Sequence, residues 1–256
     1  MTGPDAVVLT GVRDGVMTIT LNRPQVRNAL IPEVMHRLAD AVTAATADPA
    51  VRLVLLAGAG KSFCAGGDAK FPNADFATGW AAFERSVTAL RGCPKVTLAK
   101  VQGHAIGAGC TLALLADFVL AEEPALFRFP FVAMGLVPEG MHIVARLLRP
   151  VAAKRFVLLG ESLTGGQAAA AGLIHAAVPP GDLDQATDRL IEQVLALPDP
   201  SVLRIKSGLE HAYRSTAEES LEWERRNQAE LRVEPGNEQF REQYFGRRGI
   251  STGAEP

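Results

Sequence analysis

Apolar residues along the chain fall into short strand-like segments and longer segments with helical spacing. Val16–Leu21 alternates apolar residues with threonine, which predicts a strand that buries one face. Leu53–Ala57 and Val96–Val101 are largely apolar runs, which are typical of strands buried on both faces in parallel sheets. Pro32–Ala45 repeats apolar residues at helical spacing and opens on a proline, which suits the first position of a helix. Alternating strands and helices predict the α/β class.

The second half of the chain has shorter elements and ends in a charge-rich region. We predict a loop over residues 70–79 and a helix that opens at Pro138. Beyond Pro200 the pattern predicts three helices: Val202–Tyr213, Ala217–Arg232 and Asn237–Phe245. We therefore divide the chain into a core domain, residues 1–197, and a C-terminal helical region, residues 198–256, used for packing against a neighbouring subunit.

Two glycine-rich turns each follow one of the buried strand-like runs. Ser62–Asp68 reads Ser-Phe-Cys-Ala-Gly-Gly-Asp, and Gly103–Gly109 reads Gly-His-Ala-Ile-Gly-Ala-Gly. A strand, a glycine-rich turn and a helix can together aim free backbone N–H groups at a developing negative charge. Two turns with one such N–H group each meet the requirement of an oxyanion hole for a thioester or ester carbonyl. The alternative is that these glycines serve only tight turns and close helix packing.

The composition of the chain argues against several classes of function. The 256 residues are 48% hydrophobic, which predicts a sizeable core, and the net charge of −2 gives no reason to expect nucleic acid or a membrane as partner. The three cysteines, Cys64, Cys93 and Cys110, are an odd number without close pairing, so we expect a reducing compartment and a cytoplasmic protein. We find no metal-ligand spacing of Cys and His, no secretory signal and no run long enough to span a bilayer.

Five segments, in order along nearly the whole chain, resemble the crotonase, or enoyl-CoA hydratase/isomerase, superfamily. They are Arg23–Leu30, Ser62–Asp68, Gly103–Gly109, Phe129–Gly140 and Leu159–Ile174. The resemblance implies a spiral of repeated ββα turns followed by helices that form a homotrimer or homohexamer. It also implies acyl-CoA thioester substrates and no separate cofactor or metal, because coenzyme A is part of the substrate.

The resemblance also implies which residues form the site. The oxyanion hole would consist of the backbone N–H groups of Gly67 and Ala108, which would stabilise a thioester enolate. Contacts with the substrate are implied for seven residues: Arg27, Ala29, Leu30, Ala65, Asp68, Thr111 and Phe131. For Asp68 we favour a role in holding its own turn, and we interpret Cys64 and Cys110 as small buried residues rather than nucleophiles.

The chain departs from the hydratase pattern at the two positions that hold glutamates in hydratases of this family. These positions are Thr111 and Phe131 here, and neither side chain can act as a base near pH 7. One carboxylate remains in this region, Glu139, where the 3-enoyl-CoA to 2-enoyl-CoA isomerase branch carries its catalytic acid. One base suffices for isomerisation, because it can remove a proton from C2 and return it at C4. The pattern is therefore closest to the isomerase branch.

Three functions stay open at this point. The first is an enoyl-CoA isomerase that uses Glu139, and the second is a non-catalytic acyl-CoA-binding protein. The third is another CoA reaction from the same hole, such as residual hydration, decarboxylation or thioester hydrolysis. Glu139 could also be a first-turn glutamate that stabilises its helix. Three nearby apolar residues, Phe129, Phe131 and Met134, would keep the site dry and raise the pKa of Glu139 by desolvation. His142 could be a second acid, but we favour a partly buried packing histidine, and we expect His104 to be a turn and packing residue rather than a catalyst.

Overall fold

The structure is a computed structural model that describes residues 6–70 and 76–246. The chain forms two compact units, Met1–Ile191 and Glu192–Pro256. Our division after residue 197 stays a prediction about domains. None of the described helices combines the length and hydropathy needed to cross a bilayer.

The strands of the described residues lie in the first unit and form two sheets. They are β1 (Val8–Arg13), β2 (Val16–Leu21), β3 (Leu53–Gly58), β4 (Val96–Val101), β5 (His104–Ile106), β6 (Phe118–Glu122), β7 (Leu126–Arg128), β8 (Ser162–Thr164) and β9 (Ala176–Val178). The main sheet has the order β1-β2-β3-β4-β6-β9 and is parallel except for the pair β1 and β2. The second sheet has the order β5-β7-β8.

Helices alternate with the strands in the first unit and make up the described part of the second unit. They are α1 (Pro32–Ala47), α2 (Phe76–Gly92), α3 (Ala108–Leu114), α4 (Met141–Leu147), α5 (Pro150–Leu158), α6 (Gly165–Ala170), α7 (Leu183–Leu195), α8 (Asp199–Ala212), α9 (Ala217–Val233) and α10 (Pro235–Gly246). Both α6 and α9 begin with a capping box: Thr164 and Thr216 accept from the third helical N–H group, and the side chains of Gln167 and Glu219 accept from the threonine N–H groups in return. In the second unit α8 and α9 approach closely at Gly208, where a Cβ atom would lie 2.6 Å from the ring of Trp223.

A strand of the main sheet, a second-sheet segment and a helix repeat along the first unit. β4 leads into β5 and α3, and β6 leads into β7. The same order holds earlier, where single residues replace the second strand: Leu30 pairs with Gly67 between β2 and α1, and Cys64 pairs with Ala105 before α2. This succession is the ββα spiral, and with it the predicted α/β class is confirmed.

One cluster of buried apolar side chains joins these repeats. It takes residues from the main sheet, from the second sheet and from the inner faces of the helices, and its largest fully buried members are Phe63, Phe127, Phe129 and Phe156. All six residues of β3 are buried, as expected for a strand covered on both faces. The core therefore lies directly beneath the two glycine-rich turns that follow β3 and β4.

Two sequence-based expectations about elements were wrong. The helix expected from Pro138 begins at Met141, because Gly140 takes a left-handed φ of +85° and interrupts the chain before it. Residues 76–79 belong to α2 rather than to a loop, and Phe76 stacks on Trp80 with ring centroids 5.8 Å apart. The middle of that expected loop, residues 71–75, lies outside the described residues.

Candidate active site

The first glycine-rich turn, Ser62–Asp68, lies between two other segments of the first unit and pairs with both. Its backbone hydrogen bonds to one side are Ala65 N–H to Arg27 O at 2.9 Å, Leu30 N–H to Gly66 O at 2.8 Å and Asp68 N–H to Leu30 O at 2.9 Å. On the other side, Cys64 N–H donates to His104 O at 2.8 Å and Ile106 N–H donates to Cys64 O at 3.0 Å. The turn is thus fixed as part of the second sheet, and four predicted substrate contacts come together here: Arg27, Ala29, Leu30 and Ala65. Arg27 is exposed, whereas the Ala29 and Leu30 side chains are buried.

Glycines bring the two turns into direct contact. A Cβ atom on Gly109 would lie 2.6 Å from the carbonyl oxygen of Cys64, so only glycine permits this approach of α3. A Cβ atom on Gly66 would lie 2.7 Å from Ile106 O and 3.7 Å from Ala108 N. The first turn therefore passes immediately beside the start of α3.

Both predicted oxyanion donors are available. Ala108 is the first residue of α3, and the first N–H groups of a helix have no partner within the helix. Neither the Ala108 amide nor the Gly67 amide donates a hydrogen bond to another described residue. Gly67 is exposed, and a Cβ atom built on it would meet nothing within 4 Å, so the space beside it is open. Backbone amides without a partner are the kind of donor that an oxyanion hole uses.

Asn28 ties its own segment to the start of the first glycine-rich turn, and sequence reasoning missed it. The residue is 1% exposed, and its Nδ2 group lies within hydrogen-bond distance of Ala59 O, Ser62 O and Phe63 O, at 3.0, 2.7 and 3.1 Å. Its Oδ1 accepts the Arg23 N–H group at 2.8 Å. Its φ of +57° is left-handed, a conformation that asparagine adopts more readily than most residues. An asparagine within a short turn was the available signal.

Asp68 makes contacts that hold its own turn in place. One carboxylate oxygen lies 3.0 Å from Nη1 of Arg23, and the other accepts the Lys70 N–H group at 3.0 Å. The Lys70 N–H group, followed by Arg23, holds the pKa of Asp68 below its usual value. Arg23 also donates to Ala29 O at 2.6 Å. This ion pair closes the end of the turn that carries Gly67.

The cysteines near the turns are packing residues. All three cysteines of the chain are buried and unbridged. Cys64 donates to Asn28 O at 3.2 Å, and burial raises the pKa of its thiol to about 12. Burial raises the pKa of Cys110 as well. Because the thiolate is the reactive form, both groups are poor nucleophiles near neutral pH.

Glu139 lies in the turn that precedes α4, two residues before the first helical residue. It is therefore outside the first helical turn, contrary to one of our alternatives. Its Oε2 atom is buried and has no hydrogen-bond partner among the described residues. Burial raises the pKa of this carboxyl group, against a smaller lowering by its own backbone N–H group. A buried acceptor without a partner is uncommon and suits a group that takes up a proton.

Thr111 and Phe131, which occupy the hydratase glutamate positions, are both buried. The Thr111 hydroxyl donates to Glu139 O at 2.9 Å, which ties the Glu139 turn to α3 three residues after Ala108. The Phe131 ring lies against Gly107, where a Cβ atom would be 3.5 Å from Cζ, and it meets Phe129 edge-to-face. The wall of the candidate site beside Gly107 is therefore apolar.

Three further residues near the candidate site are Met134, His142 and His104. Met134 is 56% exposed in the single chain, so its expected part in keeping the site dry stays a prediction. His142 is exposed as well, because it lies at the outer start of α4, so it is not the packing residue that we expected. His104 has its Nδ1 atom 3.0 Å from Ser62 Oγ and belongs to the turn. Among residues 6–70 and 76–246, no group of three His, Cys, Asp or Glu side chains is placed to hold a metal ion.

The chain is similar to known proteins over most of its length. The family model for enoyl-CoA hydratase/isomerase matches residues 11–248. A protein of Rhizobium meliloti (strain 1021) named probable enoyl-CoA hydratase is 34% identical, covering 86% of this chain and 87% of that protein. The 1,2-epoxyphenylacetyl-CoA isomerase of Escherichia coli (strain K12) is also 34% identical, covering 85% of this chain and 87% of that enzyme.

Solved structures agree in fold. An enoyl-CoA hydratase from Polaromonas sp. JS666 superposes with a TM-score of 0.86 and 28% identity, over 95% of this chain and 98% of that chain. A Thermobifida fusca YX protein solved in complex with CoA superposes with a TM-score of 0.81 and 30% identity, over 88% of this chain and 92% of that chain.

Proposed function

Because the chain belongs to the enoyl-CoA hydratase/isomerase family, we propose that it shifts the double bond of an enoyl-CoA from the 3- to the 2-position, with Glu139 as the single base. The family makes it an acyl-CoA enzyme. The relatives include proteins named as hydratases and one named as an isomerase, so the choice of reaction depends on the residues of this chain.

The observation that carries the proposal is the state of the Glu139 carboxylate. One of its two oxygens, Oε2, is buried and unpartnered within the described residues. A glutamate that served only the start of a helix would gain by pointing at free N–H groups or solvent. Burial also raises its pKa, which strengthens it as a base and keeps its conjugate acid available as a donor.

The reaction can be written with these residues alone. The thioester carbonyl binds between the N–H groups of Gly67 and Ala108, and Glu139 removes a proton from C2. The C–H electron pair moves into a dienolate, whose negative charge rests on the thioester oxygen and is stabilised by the two amides. Glu139 then returns the proton at C4, and the electrons settle as a C2–C3 double bond. Substrate and product are isomers, so no oxidant, reductant or co-substrate is consumed, and the steps proposed here use no separate cofactor or metal.

Hydration is disfavoured because Thr111 and Phe131 stand at the two positions that hold glutamates in hydratases of this family, and neither carries a carboxylate to activate water. Thr111 cannot act as a base near pH 7, and its hydroxyl proton is engaged by Glu139 O. Phe131 offers only an apolar ring on the Gly107 side. A CoA ester would approach along Arg27 and Ala65, where Arg27 is the exposed cation suited to phosphate groups.

The test is a direct assay of Glu139→Gln. Glutamine keeps the size of the side chain but cannot accept the proton. We expect conversion of 3-enoyl-CoA to 2-enoyl-CoA to fall by about 10²–10⁴-fold, while affinity for a saturated acyl-CoA changes little. Substrates of short, medium and long chain, together with an aromatic acyl-CoA, should be tried, and hydration should be measured in parallel.

A matched control is Glu122→Gln, a half-buried glutamate at the end of β6 and outside the predicted site. It should isomerise at the rate of the unchanged protein. Equal isomerase rates in the unchanged protein and Glu139→Gln would exclude Glu139 as the base. Tight binding of CoA esters without turnover in either protein would instead favour the non-catalytic function.

Assembly belongs to the proposal as well. Large apolar side chains are exposed throughout residues 132–159, among them Met134, Val137 and Leu158, and Leu209 and Leu221 are exposed in the second unit. Apolar exposure of this extent suits burial between copies of the chain, and we propose a homotrimer or homohexamer in the cytoplasm. Light scattering at micromolar concentration should give three or six times the chain mass of 27.2 kDa, and a stable monomer would refute this.

A further inference from the structure

The Thr111 side chain makes a hydrogen bond to a turn outside its own helix. The residue lies on α3, is 1% exposed, and its hydroxyl donates to the backbone carbonyl of Glu139 at 2.9 Å. The carbonyl of Gly107, the usual acceptor for a threonine within a helix, is farther away at 3.4 Å. The hydroxyl therefore serves the neighbouring turn rather than its own helix.

The same side chain also supports Gly140. A Cβ atom on Gly140 would lie 2.8 Å from both Cγ2 and Oγ1 of Thr111, so the glycine backbone packs directly on the methyl and the hydroxyl groups. Gly140 has a left-handed φ of +85°, which glycine adopts readily. Thr111 thus contacts the chain on both sides of the peptide bond that follows Glu139.

The Glu139 side chain needs such a support. Its Oε2 atom has no partner among the described residues, so no second residue holds that side of the carboxylate. The position of the carboxylate then depends on where the backbone of the turn is held. Small displacements matter at such a site, because an error of about 1 Å in a catalytic group can reduce turnover by about 10²-fold.

We propose that Thr111 is the positioning residue for Glu139: its hydroxyl group fixes the turn from Glu139 to Gly140 against α3 and so aims the carboxylate, while its methyl group packs on Gly140. The inference rests on the proposed function, in which Glu139 is the base. Position 111, which holds a glutamate in hydratases, would then have a different role in isomerisation.

Two substitutions separate the hydroxyl from the shape of the side chain. Thr111→Val keeps the branched shape and removes the donor, whereas Thr111→Ser keeps the donor and removes the methyl group. We expect kcat for isomerisation to fall by about tenfold or more in Thr111→Val with KM nearly unchanged, and to stay within about threefold in Thr111→Ser. Rescue by serine is not expected of a residue that only fills space.

Thr187→Val is the matched control. Thr187 is also buried, at 2% exposure, and its hydroxyl also donates to a backbone carbonyl, that of Leu183 at 2.7 Å within α7. This variant should lose a comparable amount of thermal stability but keep the kcat of the unchanged protein. A general effect of removing a buried hydroxyl would appear in both variants.

A second readout does not depend on turnover. The pKa of the Glu139 carboxyl group can be followed by carbon NMR of labelled glutamate, with Glu139→Gln identifying the signal. If Thr111 holds the turn in its buried place, this pKa should fall toward the usual value of a glutamate in Thr111→Val and not in Thr187→Val.

The outcomes separate the two claims. A wild-type protein that isomerises, with a Thr111→Val variant of equal kcat, would overturn the positioning role and leave the proposed function standing. A wild-type protein without isomerase activity would refute the proposed function, and an unchanged Glu139 pKa in Thr111→Val would then also refute the positioning role. A lowered kcat rescued by serine, together with a lowered pKa, supports the inference.

Discussion

Replacing Ala108 by proline removes the backbone N–H group of residue 108 from the candidate site with little disturbance elsewhere. Ala108 is the first residue of α3, the helical position at which proline is best tolerated. Its N–H group donates to no other described residue, so proline breaks no hydrogen bond within that part of the fold. In the interior of a helix the same change would cost about 3 kcal/mol or more. We therefore expect Ala108→Pro to melt close to the unchanged protein.

The effect on turnover should be much larger than the effect on stability. Removal of one oxyanion donor lowers kcat by about 10²–10³-fold, equivalent to about 2.7–4 kcal/mol of transition-state stabilisation. The amide of Gly67 would remain, so some activity should persist. The proline ring also occupies the space in front of the former N–H group, which places the loss at the upper end of this range.

The assay is turnover of the best 3-enoyl-CoA substrate, with thermal melting measured on the same samples. Ala108→Gly is the matched control, because it removes the side chain but keeps the N–H group, and we expect it to retain activity within about tenfold. A well-folded Ala108→Pro variant with unchanged turnover would remove Ala108 from the mechanism. Equal losses in the proline and glycine variants would show that the side chain, and not the amide, matters.

Two further predictions follow from burial. The acid limb of kcat/KM should lie at a higher pH than the usual titration of glutamate near ~4.3, because burial raises the pKa of Glu139. Only the ionised carboxylate accepts the C2 proton, so activity should fall as pH decreases through that raised pKa. An acid limb at or below ~4.3 would contradict the assignment of Glu139 as the base. Asn28→Ala should lower the free energy of unfolding by about 2–4 kcal/mol in urea titrations, because buried carbonyls lose their donor, whereas Asn28→Gly should be less harmful since glycine tolerates the left-handed φ.

The main elements of the fold could be predicted from the sequence because each of their faces is uniformly buried or exposed. β2 and β4 match the predicted ranges residue for residue, since a strand with a constant environment along each face produces a regular pattern. β5 and β8 were missed because three residues cannot show a period, and tertiary pairing alone defines them. The start of α4 was misjudged because a proline indicates where a helix can begin, whereas the conformation of Gly140 decides where it does.

The sequence indicated the backbone groups of the candidate site but not its tertiary contacts. Glycine-rich turns predict free N–H groups, and Gly67 and Ala108 have them. No local pattern indicates that Asn28 reaches three carbonyls of a turn more than thirty positions later, because that contact exists only after the repeats have stacked. The partner of Thr111 was equally hidden, since its acceptor lies 28 positions away.

The spatial relation between Thr111 and Glu139 bears on how one fold can serve two reactions. A glutamate in place of Thr111 would lose the hydrogen bond to Glu139 O and would have to displace Gly140, which packs directly on the threonine side chain. A hydratase carboxylate at this position therefore competes for space with the turn that carries Glu139. On the proposed function, the loss of the carboxylate at position 111 is the condition under which the isomerase base is held in place, because the smaller threonine leaves room for the turn and donates the bond that fixes it.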